Sequence, residues 1–92
     1  MIRSFRSKAL SALFASGRTG RLPVENSARV SRMLRALNAA ERPEDVNLPG
    51  FRIHSLSGRY KGRYSITVTG NWRITFGWDG QDAIDVDIED YH

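Results

Sequence analysis

The 92-residue chain contains no cysteine, and that absence removes disulfides, thiolate zinc sites and cysteine nucleophiles together. It also fits a reducing cytoplasm, the compartment expected for this protein. Histidine is nearly as scarce. His54 and His92 are the only two, so a metal site would need both of them plus carboxylates. They do not stand at a recognised ligand spacing, and neither a metal nor an organic cofactor is expected. No apolar run approaches the roughly 20 residues that span a bilayer, which excludes a membrane-spanning helix. There is no Walker loop, no G-x-S-x-G elbow, no HExxH and no dinucleotide fingerprint, so nucleotide hydrolysis, acyl transfer and zinc proteolysis lose their usual markers.

Acid is missing from long stretches. Met1 to Val24 is rich in Arg and Ser with no acid, the composition of an organellar targeting segment. Against that reading, Ile2-Arg3-Ser4-Phe5 alternates like a strand, and Leu10, Leu13 and Phe14 share one helical face. From Gly50 to Trp78 there is again no acid, while Arg52, Arg59, Lys61, Arg63 and Arg73 are interleaved with Tyr60, Tyr64, Trp72 and Trp78.

The charge that is present is polarised. All fourteen Lys and Arg lie in residues 1–78 against four acids, whereas residues 79–92 carry Asp79, Asp82, Asp85, Asp87, Glu89 and Asp90 with no base. Bases mixed with aromatics suit phosphate neutralisation and base stacking, or equally a solvated basic face over core aromatics. Twelve of the fourteen bases are arginine, whose planar fork pairs bidentately with phosphate.

The length suits a single domain over residues 1–92. After a short strand at Ile2–Phe5, Ser7 caps a helix that stops at Gly17. A second helix starts between Pro23 and Ser27 and buries Val30, Met33, Leu34 and Leu37, leaving Arg29, Arg32 and Arg35 as a solvated face rather than a direct nucleic-acid contact. Pro43, Pro49 and Gly50 bound a connection, after which the period changes to two. Phe51–Ser55 reads as a strand, and Ser57–Gly62 as a basic loop. Tyr64–Thr69 carries Ile66 and Val68 on one face. Gly70-Asn71 is a hairpin turn, and Trp72, Ile74 and Phe76 line one face of the next strand. Asp79-Gly80 is a second turn. Ile84, Val86 and Ile88 alternate with Asp85, Asp87 and Glu89 in the last strand. Helices first and hairpin-linked strands afterwards predict an α+β fold, with the N-terminal helices packed on one face of a mainly antiparallel sheet.

Strand alternation then sends Arg73 to the uncovered face, puts Arg52 and His54 on one side of their strand, and leaves Tyr91 and His92 at the margin of that face. Metal-free RNA cleavage needs a base for the 2′-hydroxyl, a cation for the phosphate charge and an acid for the leaving 5′-oxygen. Arg73 is the candidate phosphate clamp. His54, Asp90 and His92 are candidate acid and base groups, and Tyr91 a donor or stacking ring. Each also has a plain structural reading, His54 as a strand histidine, Asp90 as a strand-end polar group and Tyr91 as a plug at the core margin.

Four blocks of sequence carry a family likeness: Phe51-Arg52-Ile53-His54-Ser55-Leu56-Ser57-Gly58, Gly62-Arg63-Tyr64-Ser65-Ile66, Asn71-Trp72-Arg73-Ile74-Thr75-Phe76 and Glu89-Asp90-Tyr91-His92. With the opening Met1-Ile2-Arg3-Ser4-Phe5, they resemble the HigB-type plasmid-maintenance killer toxins of the RelE/ParE superfamily. The resemblance implies a RelE-like toxin that cuts mRNA in the ribosomal A site without a cofactor. It also implies a cognate helix-turn-helix antitoxin, whose complex with the toxin contacts operator DNA. It implies active-site roles for His54, Arg73, Asp90, Tyr91 and His92, while Arg52, Arg59, Lys61 and Arg63 are candidate RNA contacts from their own charge and their place on or beside the sheet face. Many relatives carry lysine where Ser57 stands and a base where Thr69 stands, and their loss weakens phosphate stabilisation here unless Arg59, Lys61 or Arg63 substitutes. Other readings are a same-fold toxin acting on a protein such as DNA gyrase, and a non-catalytic nucleic-acid binder. His54 together with His92 favours the nuclease.

Overall fold

The computed structural model describes residues 1–91; His92 lies outside the described residues. Helix α1 spans Lys8–Ser16, with the Ser7 side chain accepting from the Leu10 N–H. It ends at Gly17, which takes φ 71° and donates its N–H to the Leu13 carbonyl, a conformation that costs glycine little. Helix α2 spans Ser27–Ala39 and is capped by Asn26, whose side chain accepts from the Arg29 N–H. Its Val30, Met33, Leu34 and Leu37 are fully buried, the stripe that a 3.6-residue period dictates. Leu10 and Leu13 join them, while Phe14 stays partly exposed and packs on Phe5 with ring centroids 5.8 Å apart.

Four antiparallel strands follow in the sheet order β1-β2-β3-β4: β1 His54–Ser55, β2 Arg63–Thr69, β3 Trp72–Asp79 and β4 Asp82–Asp90. Both helices contribute to one core with Ile66, Ile74, Phe76 and Val86 of the sheet. Helices on one face of an antiparallel sheet therefore describe the molecule, as the α+β reading expects. The Ile2–Phe5 segment makes two isolated parallel bridges to β4, at Ala83 and Val86, rather than a continuous strand. Its ladder is interrupted at Ser4, whose hydroxyl accepts the Asp85 N–H at 2.8 Å.

Three further elements differ from the sequence reading. The strand expected over Phe51–Ser55 shrinks to His54–Ser55. Phe51 is buried and its carbonyl accepts from Thr67 N–H at 2.7 Å, so the chain kinks immediately afterwards, with Arg52 at φ 50°. Arg52 is thus not a strand residue and does not share a strand side with His54. The second hairpin turn is Gly80-Gln81, because Asp79 and Asp82 still pair. In β4 the expected one-faced row of Ile84, Val86 and Ile88 is broken. The register shifts opposite Thr75–Gly77, and Asp85 takes φ 50°. Ile84 then pairs with Gly77 while Ile88 pairs with Ile74, which puts them on opposite faces.

Arg29 also departs from its expected solvated role. Its Nε donates to the Val68 carbonyl at 2.8 Å, its Nη2 donates to the Gly50 and Thr67 carbonyls at 2.9 Å each, and its guanidinium lies 5.5 Å from the centroid of the Phe51 ring. A two-residue β1 cannot cover the far half of β2, so the helix arginine satisfies the carbonyls left at that edge. Arg32 and Arg35 are exposed as expected. Among the described residues, no helix is long and apolar enough to cross a membrane.

Candidate active site

Cross-strand pairing assigns the sheet face turned away from the helices. One row holds His54, Ser65, Thr75 and Asp87; the next holds Thr67, Arg73 and Glu89; on the other side lie Arg63, Gly77 and Ile84. His54 and Arg73 therefore share this face, in adjacent rows and two strands apart, which places their backbones on the order of 10 Å from each other. His54 is exposed and Arg73 half-buried.

Arg73 donates from Nη1 to the Gly70 carbonyl at 2.8 Å and to the Trp72 carbonyl at 3.3 Å. Both bonds use one nitrogen. The donors on Nε and Nη2 make no hydrogen bond among the described residues, and they form the edge of the fork suited to two phosphate oxygens. The hairpin thus orients the guanidinium, and among the described residues its bidentate edge is open to a ligand.

The face is less basic and less open than its arginines suggest. Arg63 donates from Nη2 to Thr75 Oγ1 at 3.1 Å and to the Asp85 carbonyl at 2.9 Å, and Thr75 in turn donates to Glu89 Oε2. Thr75 is fully buried although no helix covers it. Burial pushes the Arg63 guanidinium below its usual range, nearby Arg6 pushes the same way, and Glu89, Asp85 and Asp87 oppose them. Arg63 is a partly buried strut in the floor of the site. Arg52, Arg59 and Lys61 are exposed.

The strand end completes the margin. Asp90 pairs with Trp72 and is exposed, so by alternation it comes to the site from the end of β4 rather than from the open face. The Tyr91 N–H donates to the Asn71 carbonyl at 2.7 Å, which ties this segment to the β2–β3 hairpin. His92, the remaining candidate, falls outside the described residues. Among the described residues, no group of three or more His, Asp or Glu side chains is placed to hold a metal ion.

Two features were not visible in the sequence. One is the Arg63–Thr75–Glu89 network, which requires the register of three strands. The other joins the loop before β2 to the end of β4: the Tyr60 ring lies 6.2 Å from the Tyr91 ring at an interplanar angle of 57°, and the Arg59 guanidinium lies 5.2 Å from the Tyr60 ring centroid. The only trace in the sequence is an Arg-Tyr pair between two glycines.

Residues 3–92 match the family model for the RelE-like HigB toxins of type II toxin-antitoxin systems. The chain is also similar to Endoribonuclease HigB of Proteus vulgaris, with 39% identity over 92 residues covering 100% of both chains.

Proposed function

This chain belongs to the RelE-like HigB toxin family of type II toxin-antitoxin systems, and we propose that it is an endoribonuclease that cuts mRNA in the ribosomal A site. The observation that carries the reading is the convergence of His54 and Arg73 on one helix-free sheet face, with Asp90 and Tyr91 held at its margin.

In this reading the Arg73 fork grips the scissile phosphate and offsets the charge that grows on it in the transition state. His54, Asp90 and His92 supply the base that takes the 2′-hydroxyl proton and the acid that protonates the leaving 5′-oxygen. Tyr91 donates to the phosphate or stacks on a base. No step requires a metal. Arg63 is occupied by Thr75 and Asp85, so the cation that relatives carry near Ser57 is replaced by Arg59 or Lys61. Arg52 serves the RNA beside them, and Arg63 holds the floor.

In this reading RNA and ribosome complete the site. Weak or no cutting of naked RNA follows. The family also brings a proposed cognate helix-turn-helix antitoxin, contact with operator DNA through that complex, and action in the cytoplasm.

The test is in-vitro translation of a defined mRNA with and without the purified chain, mapping 5′ ends by primer extension beside naked RNA. Codon-linked cuts that appear only with ribosomes are expected. Intact mRNA would overturn the reading, and the same-fold gyrase-type inhibitor would be assayed next.

A further inference from the structure

We propose that Tyr60 is a positioning residue that braces Tyr91 at the edge of the site; the proposal rests on the nuclease reading above. The geometry makes this contact informative. Tyr60 lies three residues before β2 begins at Arg63, whereas Tyr91 follows Asp90, which pairs with Trp72 at the opposite end of the sheet. The intervening seven-residue β2 is roughly 20 Å long. Ring centroids 6.2 Å apart therefore require the Gly58–Tyr60 turn to fold back along the sheet toward the hairpin. Gly58 and Gly62, at φ 64° and 90°, supply backbone conformations that other residues adopt only with strain.

Among the described residues, Tyr91 is also held through its backbone, by the bond from its N–H to the Asn71 carbonyl. That bond fixes the backbone and does not itself set the direction of the ring. The tilted contact with Tyr60 restricts the ring. It also brings a cation to the same place, since Arg59 sits over the Tyr60 ring. Two tyrosines in contact at this angle leave no slot for a base between them. The pair acts as a brace, setting the direction in which Tyr91 meets RNA, with the Arg59 charge beside it.

An aromatic pair of this kind is worth an interaction that, expressed entirely as the population of the competent arrangement, corresponds to roughly 2- to 12-fold in rate. The test uses the full chain and single-turnover cleavage of a defined mRNA on ribosomes, with Tyr60→Ala, Tyr60→Leu, Tyr60→Phe, Tyr91→Ala and the Tyr60→Ala/Tyr91→Ala double variant. Thermal unfolding first establishes that each is folded, and Tyr60→Leu stands in if Tyr60→Ala is not. Tyr60→Ala is expected to lower the maximal rate within that range and leave half-saturation nearly unchanged. Tyr60→Phe keeps the ring and should cleave as the parent does. In the Tyr91→Ala background, loss of Tyr60 should cost clearly less than it does in the parent.

Two folded single variants whose losses multiply would overturn the brace, as would a Tyr60→Ala protein that cuts at the parental rate. A ring-to-ring nuclear Overhauser effect between Tyr60 and Tyr91 in the free protein is expected independently of activity, and its absence sinks the proposal. If that signal is present but the parent never cuts, the nuclease reading fails and this role in cleavage fails with it. If the parent cuts and the signal is absent, only the brace fails.

Discussion

Along β3, neighbouring residues serve two different regions of the molecule. Ile74 and Phe76 are fully buried against the helices, with Trp72 beside them, whereas Arg73, Thr75 and Gly77 belong to the face that carries His54. The first set is held by apolar burial that any close-packed interior demands. The second is held by hydrogen bonds whose partners come from β2, β4 and the hairpin. The difference teaches that the candidate site is not merely the surface left over by the core. At Thr75 it has a buried floor of its own, bonded to Arg63 and Glu89, while Arg73, two residues away, keeps donors for a ligand.

That contrast can be broken in three places and controlled for at a fourth. Phe76→Ala should have the largest effect on folding, costing about 3–5 kcal/mol by loss of burial and the cavity left behind, and denaturant unfolding would measure it. Any lost toxicity in that variant should track the unfolded fraction. Arg73→Ala should do the reverse. Its mRNA cleavage is expected to fall about 10²- to 10³-fold, with a change in stability below about 1 kcal/mol; a folded Arg73→Ala chain that still arrests growth would falsify the phosphate-clamp role. Thr75→Val tests the floor between these extremes. It keeps the shape but leaves Arg63 and Glu89 each short of a partner, so a loss of about 1–2 kcal/mol is expected, with cleavage falling less than in Arg73→Ala.

The smallest effect lies away from both faces. Asp45 accepts from the Glu41 N–H at 3.0 Å, a bond that lowers its carboxyl pKa in the fold, and Arg42 adds to the shift while desolvation opposes it. A folded pKa below the unfolded one contributes stability that is present above the unfolded value and is lost as pH falls through the folded one. Asp45→Asn should therefore flatten the acid side of the melting-temperature profile slightly and leave cleavage at neutral pH unchanged. A marked loss of cleavage would mean that the 3₁₀ turn Pro43–Val46 is coupled to the site.

Much of the fold was legible because its signals are local. Ser7 and Gly17 mark the ends of α1, the α2 stripe follows helical spacing, and Gly70-Asn71 announces a hairpin. The phase of β3 could be read from Trp72, Ile74 and Phe76 alone, and with it the side of the sheet on which Arg73 lies. β4 could not be read that way. Its alternation looks regular in the sequence, yet the positive φ at Asp85 resets it and moves Ile84 to the open face. Nor could Arg29 be separated from Arg32 and Arg35, since all three lie off the apolar stripe and only the short β1 offers one of them carbonyls to bind.

The sequence by itself determined the fold class, the family and the identity of most candidate groups, because helix caps, turns, alternation and the Asn71–Phe76 and Glu89–His92 blocks are properties of adjacent residues. Only the tertiary structure decided which of those groups are available. It committed Arg63 to the floor, kinked Arg52 out of the His54 strand and carried Tyr60 across to Tyr91. The physical reason is that a hydrogen bond or ring contact between distant segments depends on register, bulges and loop path. These are set by how all the strands pack at once, and no stretch of neighbouring residues encodes them.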